Sequence, residues 1–451
     1  MTAVTSIWSG FSLRARIAVA FITLLPLYYA SFQFRYHGSA PSFMTNLRPL
    51  KEIPQQVFVE TALQHQVSDP FDIDPLRELC QNRKPRNDII ISCAPGTGGV
   101  GNIRSYMLHC TRFAMEAGAS MLLPHFHRRS KSDLFELFGD VADFEHFFDR
   151  EHFVTTMQSA CPHMQILDSP EEDWSNANTE IPHWGLALNV STQLHPSPWR
   201  REFDAWFEEN FAQVPKPVLL TSGDPGRDRA VMDDGMGVYY TIGRVLEFRP
   251  DARRLAMLCV EALSRRFHLA IDPTRNIYPH SYMGAHLRLD SDAVKAGWPV
   301  DFEQQTDWYI NQTLTHDLRT IYAAGGTDSD LARFAAKAKN FQIDVVSKHE
   351  LLLGNELKEL KNLLWDQRGL VDFEVLLRGS QYGGYARSSF SHNIAFRRRY
   401  NSFMKDGGGG GEGARDPFLE SVENHYQDEL SVVYGRFDAA WEDEGVRTMW
   451  P

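Results

Sequence analysis

The chain has 451 residues, a net charge of −12 and 43% hydrophobic residues. That length suits two or three domains, and 12% aromatic with 23% charged residues excludes a fully disordered chain. Five cysteines exclude a disulfide-stapled miniature scaffold, and an acidic balance without a long basic stripe argues against a nucleic-acid partner.

The first fifty residues depart from this average. No Asp or Glu precedes Glu52, while Arg14, Arg16 and Arg35 are present, and Ile17 to Phe34 carries no charge. As a helix these residues span ~27 Å, near the thickness of a thin bilayer. A cleaved signal peptide would have a shorter apolar core, and the small residues Gly38-Ser39-Ala40 run into Pro41. A buried core helix is the competing reading; basic flanks at the extreme terminus favour a single uncleaved anchor. The positive-inside rule nearly cancels, since Arg35, Arg48 and Lys51 follow the apolar run. The sequons Asn189-Val-Ser191 and Asn311-Gln-Thr313 fit a lumenal main body. There Cys80, Cys93, Cys110, Cys161 and Cys259 can form disulfides, leaving at least one unpaired, and no CxxC spacing suggests zinc.

Residues up to about 85 read as a stem with scattered prolines. Asn87–Ser92 then gives a β-branched run that predicts a buried strand, followed by the glycine-rich turn Pro95–Asn102, a helix Ile103–Glu116 and a strand Met121–Leu123. Strand, loop, helix and strand make one βαβ unit and imply a parallel sheet. The rhythm restarts after a polar stretch at Ser222–Asp234. A helix Asp251–Phe267, the strand Tyr282–Leu287, the strand Leu318–Ala323, a helix Ser329–Ala338 and the strand Phe341–Val346 follow. Two α/β halves joined by a polar hinge predict two facing domains. Gly407–Gly411 reads as a flexible insertion, and roughly Pro417–Trp441 as a terminal helix.

The sharpest local feature is His286-Leu-Arg-Leu-Asp-Ser-Asp292, placed where a parallel strand ends. A guanidinium there can fork two hydrogen bonds to a phosphate; an interdomain salt bridge among Arg288, Asp290 and Asp292 is the equal alternative. Asp290-Ser-Asp292 and Asp328-Ser-Asp330 also fit a metal-holding DxD pattern that arises often by chance, and His125-Phe-His127 reads as surface histidines. The turn Gly98-Gly-Val-Gly-Asn102 opens a helix and can hold an anion, but matches neither the dinucleotide nor the Walker fingerprint. Gly383–Ser391 places Ser388 and Ser389 at a helix start, either as a plain cap or as phosphate donors. Arg397–Arg399 reads as a solvated helix face.

In this order and spacing, the pieces resemble the GDP-fucose protein O-fucosyltransferase family from about Ile89 to Tyr400. His286–Asp292 is similar to its His-Leu-Arg-x-x-x-Asp motif. Val371-Asp-Phe-Glu-Val-Leu376 with Tyr385–Ser391 resembles its C-terminal motif, in which a strand leads to Ser-Ser-Phe. Gly98–Asn102 is similar to its Gly-x-x-Gly-Asn turn, and Leu122–Pro124 with Phe147–Phe153 to the stretch after it. The resemblance implies an α/β GT-B fold of two facing Rossmann-like domains, an inverting transfer of fucose from GDP-fucose, and no metal or other cofactor. It places Arg288 on the diphosphate and Asn102 near fucose or acceptor as catalytic residues. His286, Asp292, Ser388, Ser389, Phe390, Ser380, Gly98 and Gly101 are expected to form the donor site. Where many members carry Arg in the glycine turn this chain has Gly99, and at the gapless counterpart of a guanine-reading Asp it has Ser380.

The expected layout is a cytoplasmic tail (1–16), a transmembrane signal anchor (17–34), a stem (35–85), an acceptor-side Rossmann-like domain (86–245), a donor-binding domain (246–405), a Gly-rich insertion (406–415) and a C-terminal helix or tail (416–451). The leading expectation is a single-pass type II fucosyltransferase of the Golgi or endoplasmic reticulum, its catalytic part lumenal and its acceptor a hydroxyl on protein or glycan. The alternatives are a GT-B transferase for another nucleotide sugar, given Ser380, and an anchored relative without turnover, given Gly99.

Overall fold

The computed structural model describes residues 53–65, 71–129, 133–170, 174–177, 198–222, 231–405, 424–435 and 446–451. The expected anchor (17–34) and Gly-rich insertion (406–415) lie outside the described residues. Among the described residues no helix is long and apolar enough to cross a membrane.

In chain order the N-terminal half contains α1 (Gln55–Gln64), α2 (Asp74–Gln81), β1 (Arg86–Cys93), α3 (Val100–Ala117), β2 (Ala119–Leu122), β3 (Phe126–His127) and β4 (Val141–Ala142). It continues with α4 (Arg150–Ala160), β5 (Ile166–Leu167), β6 (Ser175–Ala177), α5 (Pro198–Phe211), β7 (Val218–Ser222) and α6 (Met236–Ile242). The C-terminal half contains α7 (Pro250–Phe267), β8 (Met283–His286), α8 (Ser291–Lys295), α9 (Phe302–Thr315), β9 (Thr320–Ala324), α10 (Asp328–Lys339) and β10 (Asp344–Val346). It closes with α11 (Lys348–Leu351), α12 (Gly354–Asn362), α13 (Trp365–Arg378), β11 (Gln381–Tyr385), α14 (Ser389–Lys405), β12 (Tyr426–Gln427) and β13 (Ser431–Tyr434).

Two parallel sheets result. The first runs β5-β2-β1-β7-β6 with every pair parallel. The second runs β10-β9-β8-β11-β13-β12, parallel except for the β12–β13 pair. Continuous apolar runs such as Ile89–Ile91 suit strands buried on both faces by helices. In each sheet the chain winds outward from a central strand, then returns to that strand's other side. The crevices this leaves lie between β1 and β7 and between β8 and β11, the places where open parallel sheets hold ligands at their carboxyl ends.

Three expectations are corrected here. The stem contains α1 and α2, whose apolar faces (Phe58, Val59 and Ala62; Leu76 and Leu79) are buried in the core. The region expected as a terminal helix instead contributes β12 and β13, and β13 pairs in register with β11, Tyr382 to Ser431 through Tyr385 to Tyr434. The acids around it mask the short strand Ser431-Val-Val-Tyr434, which is stable only inside the sheet. Arg397 and Arg398 are buried, not solvated. The Arg398 guanidinium donates to the carbonyls of Leu377, Gly379 and Leu430, tying α13, β11 and β13 together.

Two disulfides lie in the N-terminal half. Cys80–Cys161 joins α2 to the end of α4, and Cys93–Cys110 joins the end of β1 to α3. Cys259 is free and buried. Asn311 is exposed on α9.

Candidate active site

The carboxyl ends of β8 and β11 place the two sequence motifs side by side. His286 ends β8 and is buried, with Nδ1 2.8 Å from Ser391 Oγ and its ring 4.7 Å from that of Phe390. Burial, reinforced by the positive charge of Arg288, pushes His286 down to about 3. It is therefore uncharged and a weak base near neutrality, a wall and hydrogen-bond partner for the crevice.

Arg288 follows the strand and is fixed from both ends. Its backbone N–H donates to Gln305 Oε1 (2.8 Å), and Gln305 Nε2 donates back to its carbonyl (3.1 Å). Its guanidinium donates to Asp290 Oδ2 (2.9 Å) and Asp292 Oδ2 (2.7 Å) and lies 5.2 Å from the Trp298 ring centroid. Burial works against the Asp292 carboxylate, but hydrogen bonds and charge from Arg288 and Arg129 outweigh it and hold the group at about 2. Burial raises Asp290, only partly offset by Arg288. Both carboxylates of this Asp-Ser-Asp thus face one arginine. Those of Asp328-Ser-Asp330 open α10, where Asp330 and Thr327 form a reciprocal cap. Among the described residues no group of three or more His, Cys, Asp and Glu is arranged to hold a metal ion.

Ser388 is buried, and Ser389 and half-buried Phe390 begin α14. The Ser388 amide donates to Tyr385 O (3.0 Å) and its carbonyl accepts from His392 N (3.2 Å). Against this helix start lies the start of α3. A Cβ on Gly101 would stand 2.5 Å from Ser389 C and 2.6 Å from Phe390 N, so only glycine lets the two backbones approach. Gly98 has φ +98°, and its missing side chain leaves room for the Asn102 amide, whose Nδ2 would lie 2.6 Å from a Cβ there. Two helix N-termini, one from each half, therefore converge beside His286, and such termini favour anions.

Ser380 does not join them. It precedes the first residue of β11, at the opposite end of the sheet, where its Oγ accepts from His280 N (3.1 Å). Val371–Leu376 is also not the strand leading to Ser-Ser-Phe; it lies inside α13, and β11 is that strand. An apolar run of this length fits a helix buried all round as well as it fits a strand. Asp372 accepts from Tyr322 Oη (2.7 Å) and from Lys348 Nζ.

Sequence reasoning missed Arg129, Trp298 and Trp365. Arg129 lies beyond β3; its Nη2 donates to Asp292 Oδ2 (2.8 Å), and its Nη1 would be 3.6 Å from a Cβ on Gly99. An arginine therefore does stand beside the glycine turn, reached from another segment. The basic run His125–Lys131 held the signal, but nothing local distinguishes Arg129 from Arg128, which reaches Asp140 at the surface.

Residues 89–401 match the family described as GDP-fucose protein O-fucosyltransferase. The chain belongs to that family. No curated protein sequence matches it. Among solved structures, POFUT1 in complex with GDP is similar at 15% identity and a TM-score of 0.43, over 70% of this chain and 96% of that one. POFUT1 in complex with GDP-fucose has the same identity, TM-score and coverage. The fucosyltransferase NodZ from Bradyrhizobium is similar at 14% identity and a TM-score of 0.36, over 71% of this chain and 92% of that one.

Proposed function

We propose that this O-fucosyltransferase family member uses a GT-B arrangement to transfer fucose from GDP-fucose to an acceptor hydroxyl with inversion. One observation carries the reading: Arg288 and the start of α14 share the crevice between β8 and β11, a cationic fork beside a helix N-terminus. The acceptor oxygen attacks the fucose anomeric carbon as that carbon's bond to the β-phosphate oxygen breaks. The bonding pair leaves on GDP, and the acceptor hydroxyl gives up its proton. A single displacement inverts the carbon. Arg288 and the α14 amides offset charge developing on the diphosphate, without a metal.

Asn102 faces the donor from the other half, and Ser388, Ser389 and Phe390 hold phosphate and nucleoside. Phe138 (72% exposed), with exposed Phe135 and Val141, lies on the segment after Arg129, and Phe135 is 5.8 Å from Lys295 Nζ of α8. An exposed apolar group beside a phosphate crevice suits a protein acceptor. Two disulfides suit an oxidising lumen of the secretory pathway, reached through the 17–34 anchor. Ser380 at the far end of β11 and Arg129 beside Gly99 favour this reading over another nucleotide sugar or an inactive relative.

The test is a panel of GDP-, UDP- and ADP-sugars offered to the full-length protein in detergent, with binding and transfer both measured. The expected result is a preference for GDP-fucose, retained with a chelator present. Arg288→Ala should lower turnover by at least ~10²-fold, compared at a temperature where both proteins are folded, since the change also unpairs Asp290 and Asp292 and lowers stability. An unchanged Arg288→Ala rate, or activity abolished by chelation, would overturn the proposal.

A further inference from the structure

Arg129 is 8% exposed and belongs to the N-terminal half, yet it is bound into the motif of the C-terminal half. Its backbone N–H donates to Asp366 Oδ2 (3.2 Å), its Cζ lies 5.5 Å from the Trp365 ring centroid, and its Nη2 also donates to Leu134 O. The same Nη2 donates to Asp292 Oδ2 (2.8 Å), the very oxygen that accepts from Arg288 Nη2 (2.7 Å). Its Nε–H is buried without a hydrogen-bond partner among the described residues.

Arg129, Arg288, Asp290 and Asp292 form a neutral set of two cations and two anions. In this arrangement both Nη groups of Arg288 are engaged by carboxylates. A guanidinium has five N–H donors, and a diphosphate that takes the edge facing Asp292 displaces that carboxylate from Arg288. If Asp292 were then left unpaired, a partly buried carboxylate would face an arriving anion, which like charge and desolvation both disfavour. Arg129 already holds that oxygen. Its idle Nε–H, next to Nη2, offers the second bond of a side-on pair once Arg288 turns away.

We propose that Arg129 is a positioning residue that takes over Asp292 when a diphosphate claims Arg288, coupling donor binding to contact between the two halves. The proposal rests on the reading of Arg288 as the diphosphate ligand. It assigns to the N-terminal half a cation that acts on the donor indirectly, through a carboxylate of the other half.

The test is a double-mutant cycle on the full-length protein, titrated calorimetrically with inorganic pyrophosphate and, separately, with GDP. Arg129→Gln should weaken pyrophosphate binding about ten-fold, whereas Asp292→Asn should tighten it, because an amide competes less for Arg288. In the Asp292→Asn background, Arg129→Gln should change affinity less than about two-fold. Arg129→Lys keeps the charge and should recover part of the loss; if Arg129→Gln does not fold, the same cycle is read with Arg129→Lys. Equal weakening in both backgrounds, or none in either, overturns the role of Arg129. Coupling seen with pyrophosphate but no added affinity for GDP would overturn the nucleotide reading and leave this one standing. Binding of neither anion would overturn both.

Discussion

The two halves both meet the cleft at a strand–loop–helix junction, but they furnish it differently. After β1 the N-terminal half presents backbone: Gly96 to Gly101 carry no charged side chain, and α3 starts with no side-chain cap. After β8 and β11 the C-terminal half presents side chains: His286, Arg288, Asp290, Asp292, Ser388 and Ser389. The halves also differ in what keeps these junctions in shape. Cys93–Cys110 and Cys80–Cys161 tie down the N-terminal half, whereas the cysteine of the other half, Cys259, is free. A wall of glycine has no packed side chains to orient it, so rigidity must come from elsewhere, here from a covalent link across the turn. A wall of charged side chains is oriented by its own hydrogen bonds, and Gln305 and the two aspartates fix Arg288 without a disulfide.

The sharpest way to break this comparison is Gly101→Val. Its Cβ would meet the backbone of Ser389 and Phe390 at 2.5–2.6 Å, and backbone atoms cannot swing aside. The starts of α3 and α14 must then separate, with an overpacking cost of ~1–3 kcal/mol. A shift on the order of 1 Å at a reacting centre lowers turnover by ~10²-fold, and that loss is expected here. Transfer assays beside thermal melts check it. A near-normal rate would mean that the two helix starts do not act as a unit.

How much of this was legible beforehand follows from the range of the signals. β1, α3, β8, β9 and α10 are written in local periodicity, which sets their bounds to within a few residues. Arg288 was legible because its own motif sits at a strand end. Ser380 was misplaced because counting residues without gaps ignores the α13-to-β11 turn, which puts position 380 at the wrong end of the sheet. β13 and Arg129 were invisible for a common reason: each depends on a partner far away in sequence. Ser431–Tyr434 is a strand through its pairing with β11, and Arg129 reaches the candidate site through Asp292, 163 positions away.

A smaller effect on turnover, but a clear one on stability, is expected from the double change Cys93→Ser with Cys110→Ser. The loop closed by this bridge spans 17 positions, for which the chain-entropy account gives ~3 kcal/mol. Chemical denaturation should show that loss, while turnover measured well below the melting temperature should fall far less than for Gly101→Val. If turnover falls as far as in Gly101→Val while the protein remains folded, the disulfide is setting the geometry of the glycine turn rather than merely stabilising it.

The smallest effect should come from Asp330→Asn, and it isolates place from sequence. Asp290-Ser-Asp292 and Asp328-Ser-Asp330 are the same three letters in the same half. Asp330 Oδ2 accepts from Thr327 N (3.0 Å) and Thr327 Oγ1 (2.6 Å), while Thr327 Oγ1 accepts from Asp330 N (3.2 Å). Asparagine keeps an oxygen for that cap and loses only the charge at the α10 N-terminus, a cost of ~0.5–1 kcal/mol. Turnover and pyrophosphate affinity should not move. Asp292→Asn makes the same chemical change where one oxygen serves two arginines, and there pyrophosphate affinity should rise several-fold, since Arg288 sheds a competitor. Equal responses at the two positions would mean that charge anywhere near the sheet edge is what the anion senses. Unequal ones place the effect in the contact of Asp292 with Arg288 and Arg129.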